Sequence, residues 1–393
     1  MLALLWLLYA AFGLVFRAIA PLVTPILEDL HISYAQMGLI LGSWPLTYIL
    51  VAIIAGTVID RWGVRKSILA GAVIMGLSVT LRYFPNGFAT MLIVVAFFGV
   101  GGPMISIGGP KAIAMWFRGK SRGTAVSIYM TGPWIGGLLA LATTNSFIMP
   151  LTGYSWRLTF VGYGLLTFLV ALLWGFLARD TKSAAAMPGA SVSEVFGKLI
   201  KTRNIQVLLI MGLLTFATMH GFTNWLPKIL ESGGLSPAWA GFAAAIPLAA
   251  GIPATLVIPR LVPAYLRGRF VALFALLTVV ALFVVVTAQD AALLAGLILF
   301  GIASSCFLPL LLLTLMDTPE VGSRYMGSAG GMFFCVAEIG GFSGPLIMGA
   351  LVDMTGAFLA GVFFLISLNL AIVAMTLLLK IKSVSSPEAP TLG

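Results

Sequence analysis

Among the ionisable side chains in the apolar stretches of this sequence, four stand out: Arg17, Lys111, His220 and Glu338. An ionisable group at membrane depth is costly, so each is a candidate for a functional role. Arg17 lies near the middle of the first stretch, and its planar guanidinium fork suits a carboxylate or another oxyanion. Arg17 therefore predicts an anion-binding site. The alternatives are an internal salt bridge and a side chain that reaches the membrane interface.

Glu338 lies halfway along the eleventh apolar stretch, in Cys335-Val-Ala-Glu338-Ile-Gly340-Gly341. Burial favours the protonated form of a carboxyl group, so Glu338 could carry a coupling proton. It could equally be a fixed counter-ion that packs two parts of the protein together. The same stretch has no second carboxylate, so neither a metal site nor an acid/base enzyme site is expected there.

Lys111 and His220 each allow a binding role and a structural one. Lys111 follows Gly108-Gly109-Pro110, about one turn from the end of its stretch, and its long stem could reach the interface. If the helix breaks at Gly-Gly-Pro, the ammonium could instead face a cavity and meet an incoming anion. His220 begins a segment that contains Asn224 and could bind or gate, or it could belong to an interfacial aromatic belt.

Aromatic side chains in the first half of the sequence could line the same cavity. They are Tyr9, Trp44, Tyr48, Tyr129 and Trp134. For each of them, contact with lipid or with a neighbouring helix is the alternative.

The composition indicates which kind of secondary structure positions these side chains. Of the 393 residues 60% are hydrophobic and 9% charged, and the mean hydropathy is +1.10, which is typical of a helical protein that crosses the membrane many times. In lipid, a helix satisfies all of its own backbone groups. We predict twelve spans: Leu4–Leu27, Tyr34–Ile59, Ser67–Phe84, Ala89–Met115, Gly123–Met149, Arg157–Leu177, Ile205–Leu226, Ala238–Ile258, Phe270–Ala288, Ala291–Leu315, Tyr325–Val352 and Ala357–Leu379.

The distribution of cations predicts the orientation. All but five of the 22 Lys and Arg residues fall in alternate loops and at the C-terminal end. Positive residues favour the cytoplasmic side, so both termini are expected there, in an inner (plasma) membrane. The net charge of +10 then requires no nucleic-acid partner. The first residues carry no charged n-region, so no cleaved signal peptide is expected.

The polar stretch 179–204 divides six spans from six. It predicts an N-terminal bundle over 1–178, a cytoplasmic linker over 179–204, a C-terminal bundle over 205–382 and a cytoplasmic tail over 383–393. Within the linker, Ser193–Ile200 could form a helix on the membrane surface.

Two segments of the first half recur at corresponding places in the second half. Pro25-Ile-Leu-Glu28 is echoed by Pro227-Lys-Ile-Leu-Glu231, and Gly132-Pro133 in span 5 is echoed by Gly344-Pro345 in span 11. These echoes indicate a parallel duplication.

A charged segment joins the second and third spans: Gly56-Thr-Val-Ile-Asp60-Arg61-Trp-Gly63-Val-Arg65-Lys66. Asp60 beside Arg61 makes a charge-assisted latch, and Gly63 permits a tight turn. The segment resembles the signature between helices 2 and 3 of the major facilitator superfamily of transporters. This resemblance implies an all-α integral membrane fold with two six-helix bundles related by pseudo-two-fold symmetry. It also implies alternating access, with the segment as a conformational latch.

The resemblance leaves the branch of the family and the coupling mode open. The residues around Trp116-Phe117, Trp156-Arg157 and Asn224-Trp225 are loosely similar to the cyanate and nitroimidazole permease branch, and more distantly to monocarboxylate carriers. Gly132-Pro133-x-x-Gly136-Gly137 resembles the end of an antiporter motif, with Ile128 where the motif has Gly.

Buried cations exceed buried acids among the four candidates, which favours an anionic substrate. We therefore expect a secondary transporter of a small organic anion or oxyanion, as a proton symporter or an anion antiporter. The alternatives are proton-coupled efflux of drug-like or neutral solutes, and a non-transporting sensor or membrane-embedded enzyme.

The sequence lacks the motifs of several other protein classes. No Walker-type motif, metal-ligand cluster or nucleophile motif is found, and Cys306 and Cys335 have no motif spacing. We expect no enzyme activity, cofactor or metal. The expected partners are a small anion, possible coupling protons and the lipid bilayer, and the protein is expected to be a monomer.

Overall fold

A computed structural model describes residues 1–118, 120–179 and 200–379, without the side chains of residues 53, 120 and 322–327. Within these ranges the chain is helical without strands, and twelve spans are long and apolar enough to cross a membrane. The predicted all-α membrane fold is confirmed. The helices of spans 1 to 12, in chain order, are Leu2–Arg17 with Val23–Leu30, Tyr34–Trp62, Val64–Leu81, Phe88–Ser106 with Gly108–Trp116, Lys120–Thr143 with Met149–Leu151, Trp156–Leu177, Arg203–Ser232, Pro237–Leu261, Arg267–Thr287, Asp290–Ser305 with Phe307–Met316, Gly322–Thr355, and Phe358–Thr376.

Span 7 is longer than the sequence predicted. It begins at Arg203 rather than Ile205, and it runs through Pro227 to Ser232 instead of stopping at Leu226. Because Pro227 has no N–H, the carbonyl of Thr223 loses its helical partner there. The helix predicted over 193–200 lies outside the described residues except for Ile200, as does the tail 383–393. The four domain limits stay predictions.

Two breaks in the helices of the first half fall beside candidate residues. In span 1 the first helix ends at Arg17, and a 3-10 turn, Ala20–Leu22, containing Pro21 precedes the second helix. In span 4 the break lies at Ile107, directly before Gly108. Broken helices of this kind often mark binding sites in transporters, because they place helix ends at membrane depth.

Each half packs its first helix closely against its fifth. A Cβ added to Gly136 of span 5 would overlap the carbonyl oxygen of Ala10 in span 1. In the second half, a Cβ on Gly344 of span 11 would overlap the carbonyl oxygen of Ala217 in span 7. Small residues therefore permit the same close approach in both halves. This shared packing agrees with the duplication predicted from the sequence.

The two halves meet along spans 2 and 11. We name the two ends of the bundle by residues of the first half, the Asp29 end and the Asp60 end. Gly38 and Gly42 of span 2 pack against the backbone of span 11 toward the Asp29 end. Leu46 and Leu50, which continue the same i+4 row toward the Asp60 end, are exposed.

The buried core has the same asymmetry. One apolar cluster runs from the first half into the part of the second half near the Asp29 end, where it includes Trp225, Phe300 and Met348. A separate cluster, which includes Phe307 and Phe333, fills the rest of the second half. The halves are therefore closed on each other at the Asp29 end and separated toward the Asp60 end.

Candidate functional site

Arg17 lies buried at the interface between the halves, with 6% of its surface exposed. Its Nη1 donates hydrogen bonds to Thr223 Oγ1 at 2.6 Å and to Asn224 Oδ1 at 3.4 Å, both in span 7. Arg17 is also the last residue of its helix, where the backbone dipole favours a cation. Among the ion pairs of the described residues, none gives Arg17 a carboxylate partner. Its positive charge is therefore held by neutral groups alone.

His220 is packed among aromatic rings near Arg17. Its ring stacks on Phe216, with centroids 5.6 Å apart, and on Trp44, with centroids 6.1 Å apart. The side chain is buried, and Nδ1 has no hydrogen-bond partner in the described chain. The structure therefore places His220 in the interior between the halves, away from the membrane interface.

Glu338 is buried in span 11, and its Oε2 has no hydrogen-bond partner among the described residues. This oxygen is 2.7 Å from the position that a Cβ on Gly341 would occupy, and His220 Nδ1 is 3.3 Å from the same position. The two atoms thus lie within about 6 Å of each other. The two groups do not hydrogen-bond each other, so proton transfer between them requires a bridging water or a side-chain movement.

Three aromatic candidates of the first half pack against other helices: Tyr9, Tyr129 and Trp134. Tyr9 stacks on Tyr129, with ring centroids 4.3 Å apart. Tyr129 is completely buried and donates to the carbonyl of Ile105, so it supports Tyr9. Trp134 faces span 8 of the other half, with its ring 3.3 Å from the position of a Cβ on Gly251.

Lys111 lies at the Asp60 end of the first half. It forms an ion pair with Asp60, and both side chains are partly exposed. The structure thus places Lys111 in contact with the latch segment rather than beside Arg17. Its partner is 51 positions away in the sequence, so the local pattern around Lys111 could not reveal it.

The rest of the latch segment connects helices of the same half. Gly63 has a φ of +82°, which the turn requires. Arg65 Nη2 donates to the carbonyl of Gly175 at 2.6 Å, which ties span 3 to span 6. Arg61 and Lys66 are exposed, and a Cβ on Gly56 would meet nothing within 4 Å.

The second half has a charged contact of its own at this end. The sequence around Arg267 keeps the cations of the latch segment but not its acid. In the structure Arg267 pairs with Asp317, at the end of span 10, and donates to the carbonyl of Leu313 at 3.1 Å. The acid is thus supplied by another helix.

Arg82 is the buried cation that the sequence analysis did not select. The predicted span ends at Phe84, which puts Arg82 only two residues from the end of that span. In the structure it is 2% exposed, and its guanidinium lies over the ring of Phe160, 5.0 Å from the centroid. Buried Ser78 and Val79 precede it by four and three residues, so helical periodicity could have placed it on the packed face.

Comparisons with known proteins agree with this architecture. A family model described as Major Facilitator Superfamily matches residues 5–345. The chain is 25% identical to a hexuronate transporter of Bacillus subtilis over 86% of its own length and 84% of that protein's. It is 22% identical to a probable sulfoacetate transporter of Cupriavidus necator, over 86% and 83% of the two lengths. It also superposes on a bacterial homolog of the human lysosomal transporter Spinster with a TM-score of 0.73, at 18% identity, over 96% of this chain and 93% of that one.

Proposed function

Because this chain belongs to the major facilitator superfamily, we propose that it is a secondary active transporter that moves a small organic anion by alternating access. Two relatives that cover most of its length are named as transporters of organic acids, hexuronate and, as a probable assignment, sulfoacetate. The fold alone would serve many solutes. The choice of an anion depends on the site.

The observation that carries the proposal is the uncompensated charge of Arg17. A buried cation without a counter-ion is costly and repels cationic solutes. A carboxylate can accept two parallel hydrogen bonds from the guanidinium and neutralise it. An organic anion therefore gains more binding free energy at this position than a neutral solute, which leaves the charge of Arg17 uncompensated.

The partners of Arg17 suggest how binding couples to movement of the halves. Arg17 belongs to the first half, and Thr223 and Asn224 belong to the second. An anion that accepts the hydrogen bonds of the guanidinium breaks these two contacts between the halves. Binding then has different energies in the two conformations, as population shift requires. The Asp60 end carries most of the loop cations, so we assign it and both termini to the cytoplasmic side of the inner membrane.

Glu338 is the proposed site of proton coupling. Its free Oε2 and the nearby His220 Nδ1 lie between the halves, so a proton bound there is carried through the same conformational change. This pair supports a proposal of symport with protons. The alternative is anion antiport, which is supported by the sequence motif Gly132–Gly137. The structure gives these glycines a packing role, because spans 1 and 5 approach each other closely there.

A ligand panel on the purified protein tests the proposal. Galacturonate, sulfoacetate and succinate are compared with a neutral sugar and a quaternary ammonium compound by thermal unfolding in detergent. At a hundred times its dissociation constant, a bound ligand adds about 2.7 kcal/mol to the free energy of unfolding. We expect stabilisation by organic anions only. Stabilisation by the cation, with none by any anion, contradicts the proposal.

A further inference from the structure

A small cavity lies beside Arg17, on the side of the Asp29 end. Its volume is about 10 Å³, and Arg82, Trp44 and Asn224 are its polar lining residues. The remaining lining is apolar and includes Phe16, the neighbour of Arg17. The cavity therefore brings a second buried guanidinium close to the proposed anion site.

The polar groups of this cavity are hydrogen-bond donors without partners. Arg82 Nε and Nη1, Trp44 Nε1 and Asn224 Nδ2 are all buried, and none has a partner among the described residues. A buried donor left unpaired costs free energy, and a charged one costs more. A ligand group that satisfies all three side chains must accept hydrogen bonds and carry negative charge.

Asn224 connects this cavity to Arg17. Its Oδ1 accepts from Arg17 Nη1, and its Nδ2, at the other edge of the same amide, is the free donor. One side chain thus contacts Arg17 and lines the cavity that also contains Arg82. Two acidic groups joined by a short linker would neutralise both cations.

We propose that this cavity is a second anion subsite, and that the substrate is a dianion whose two acidic groups bind Arg17 and Arg82. The proposal rests on the proposed function, in which Arg17 binds the first acidic group. It assigns specificity for dianions to Arg82.

The lining of the cavity indicates when the subsite opens. Seven of its eight lining residues belong to the first half, and only Asn224 belongs to the second. At about the volume of one water molecule, the cavity is too small for a carboxylate in this conformation. Separation of the halves at the Asp29 end withdraws Asn224 and widens it. The dianion therefore binds both guanidinium groups in the conformation that is open at the Asp29 end.

Arg82 could instead be structural, since its guanidinium already lies over Phe160. A matched pair of probes separates these roles: succinate, with two carboxylates, and succinamate, in which a neutral amide replaces one of them. Affinities for both are measured calorimetrically on the purified full chain, and sulfoacetate serves as a second dianion. The variants are Arg82→Gln, Arg17→Gln and Trp44→Phe, with Arg157→Gln as the control because Arg157 pairs with Asp29 outside the cavity.

We expect the parent protein to bind the dianions at least about tenfold more tightly than succinamate. Arg82→Gln should remove this preference while it leaves succinamate affinity within about twofold. Trp44→Phe should reduce the preference in the same direction, and it keeps the proposal testable if Arg82→Gln does not fold. Arg17→Gln should weaken the binding of every probe. Arg157→Gln should leave the ratio of dianion affinity to succinamate affinity unchanged.

Equal affinity of the parent protein for dianions and succinamate overturns the proposal. So does an Arg82→Gln variant that loses the same factor of affinity for dianions as for succinamate. In either case, a loss of anion affinity in Arg17→Gln still supports the proposed function. Unchanged binding in Arg17→Gln, or no binding of any anion by the parent protein, contradicts the proposed function itself.

Discussion

At the scale of the residue, the backbone explains why Arg17 can remain charged in an apolar interior. The helix that carries Arg17 ends there, and the following Pro21 belongs to a separate 3-10 turn. The carbonyl end of the helix and two neutral side chains of span 7 stabilise the cation without neutralising it. An anion can therefore bind without first displacing a carboxylate.

Replacing Glu338 by Gln tests proton coupling at this same scale. If Glu338 carries the proton, uptake by the parent protein should rise as pH falls on the side from which substrate enters, and Glu338→Gln should abolish this dependence. The measurement is the initial rate of labelled-anion uptake into proteoliposomes across a pH series. Glu28→Gln, which alters an exposed acid, is the control and should keep the parent profile.

The shape of the pH profile separates the two roles of Glu338. If this carboxyl group is a fixed counter-ion, the Gln variant should lose stability and expression, and its remaining transport should keep the parent profile. A well-folded Glu338→Gln protein with an unchanged profile rules out the proton role.

At the scale of the element, the N-terminus of span 2 is bound by an acid from the other half. Asp353, near the end of span 11, accepts hydrogen bonds from the backbone N–H of Tyr34 at 2.9 Å and of Ala35 at 2.7 Å. A carboxylate at a helix N-terminus is favoured by the backbone dipole. Because the contact joins the halves at the Asp29 end, it must break before that end opens.

We therefore expect Asp353→Asn to shift the protein toward the conformation open at the Asp29 end. Hydrogen bonds to a charged group contribute about 1.5–3 kcal/mol, so the population should change by about tenfold. Pulsed electron paramagnetic resonance measures the distance between spin labels at Glu28 and Ser232, which lie at this end in different halves. Asp290→Asn, an exposed acid, is the control. An unchanged distance distribution in Asp353→Asn would show that the contact is not a gate.

The ion pair of Asp60 and Lys111 gives a second prediction about the elements. The pair is partly exposed, so its contribution to fold stability is small. It lies far from Arg17, so Asp60→Asn should lower the transport rate at least about fivefold and leave anion affinity within about twofold. Lys111→Met should behave similarly, and the double variant should be no worse than either. Arg118→Met, which removes an exposed cation outside the latch segment, is the control.

If the losses of transport rate in the two single variants add up in the double variant, Asp60 and Lys111 act separately. A large loss of anion affinity in Asp60→Asn would place Asp60 in the binding site and contradict its role as a latch.

Local sequence patterns predicted much of the fold and less of the site. Apolar length identified the twelve spans, and the burial cost of an isolated cation identified Arg17. Arg82 was missed because it lies close to the end of its helix, where an arginine normally reaches the interface. The partners of Lys111 and Arg267 are about 50 residues away, and such contacts depend on the packing of whole helices.

At the scale of the whole molecule, the described parts of the two halves share one apolar core at the Asp29 end, and no described apolar cluster joins them at the Asp60 end. Alternating access requires the reverse arrangement as a second state of similar energy. Asp353, which we expect to act as a gate, and Asp60, which we expect to act as a latch, lie at opposite ends of the molecule. The proposed anion site at Arg17 lies between them. A substrate at Arg17 can thus be exposed to one side at a time.

Anion exchange in proteoliposomes tests the central claim most directly. The labelled probe is the organic anion that stabilises the purified parent protein most, and the variants are Arg17→Lys, Arg17→Ala and the exposed control Arg260→Ala. We predict saturable exchange by the parent protein and by Arg260→Ala. Arg17→Lys should retain the fold with weaker binding, because one point charge replaces the planar fork. Arg17→Ala should lose at least about tenfold in affinity. Exchange by folded Arg17→Ala with the affinity of the parent protein would contradict the account.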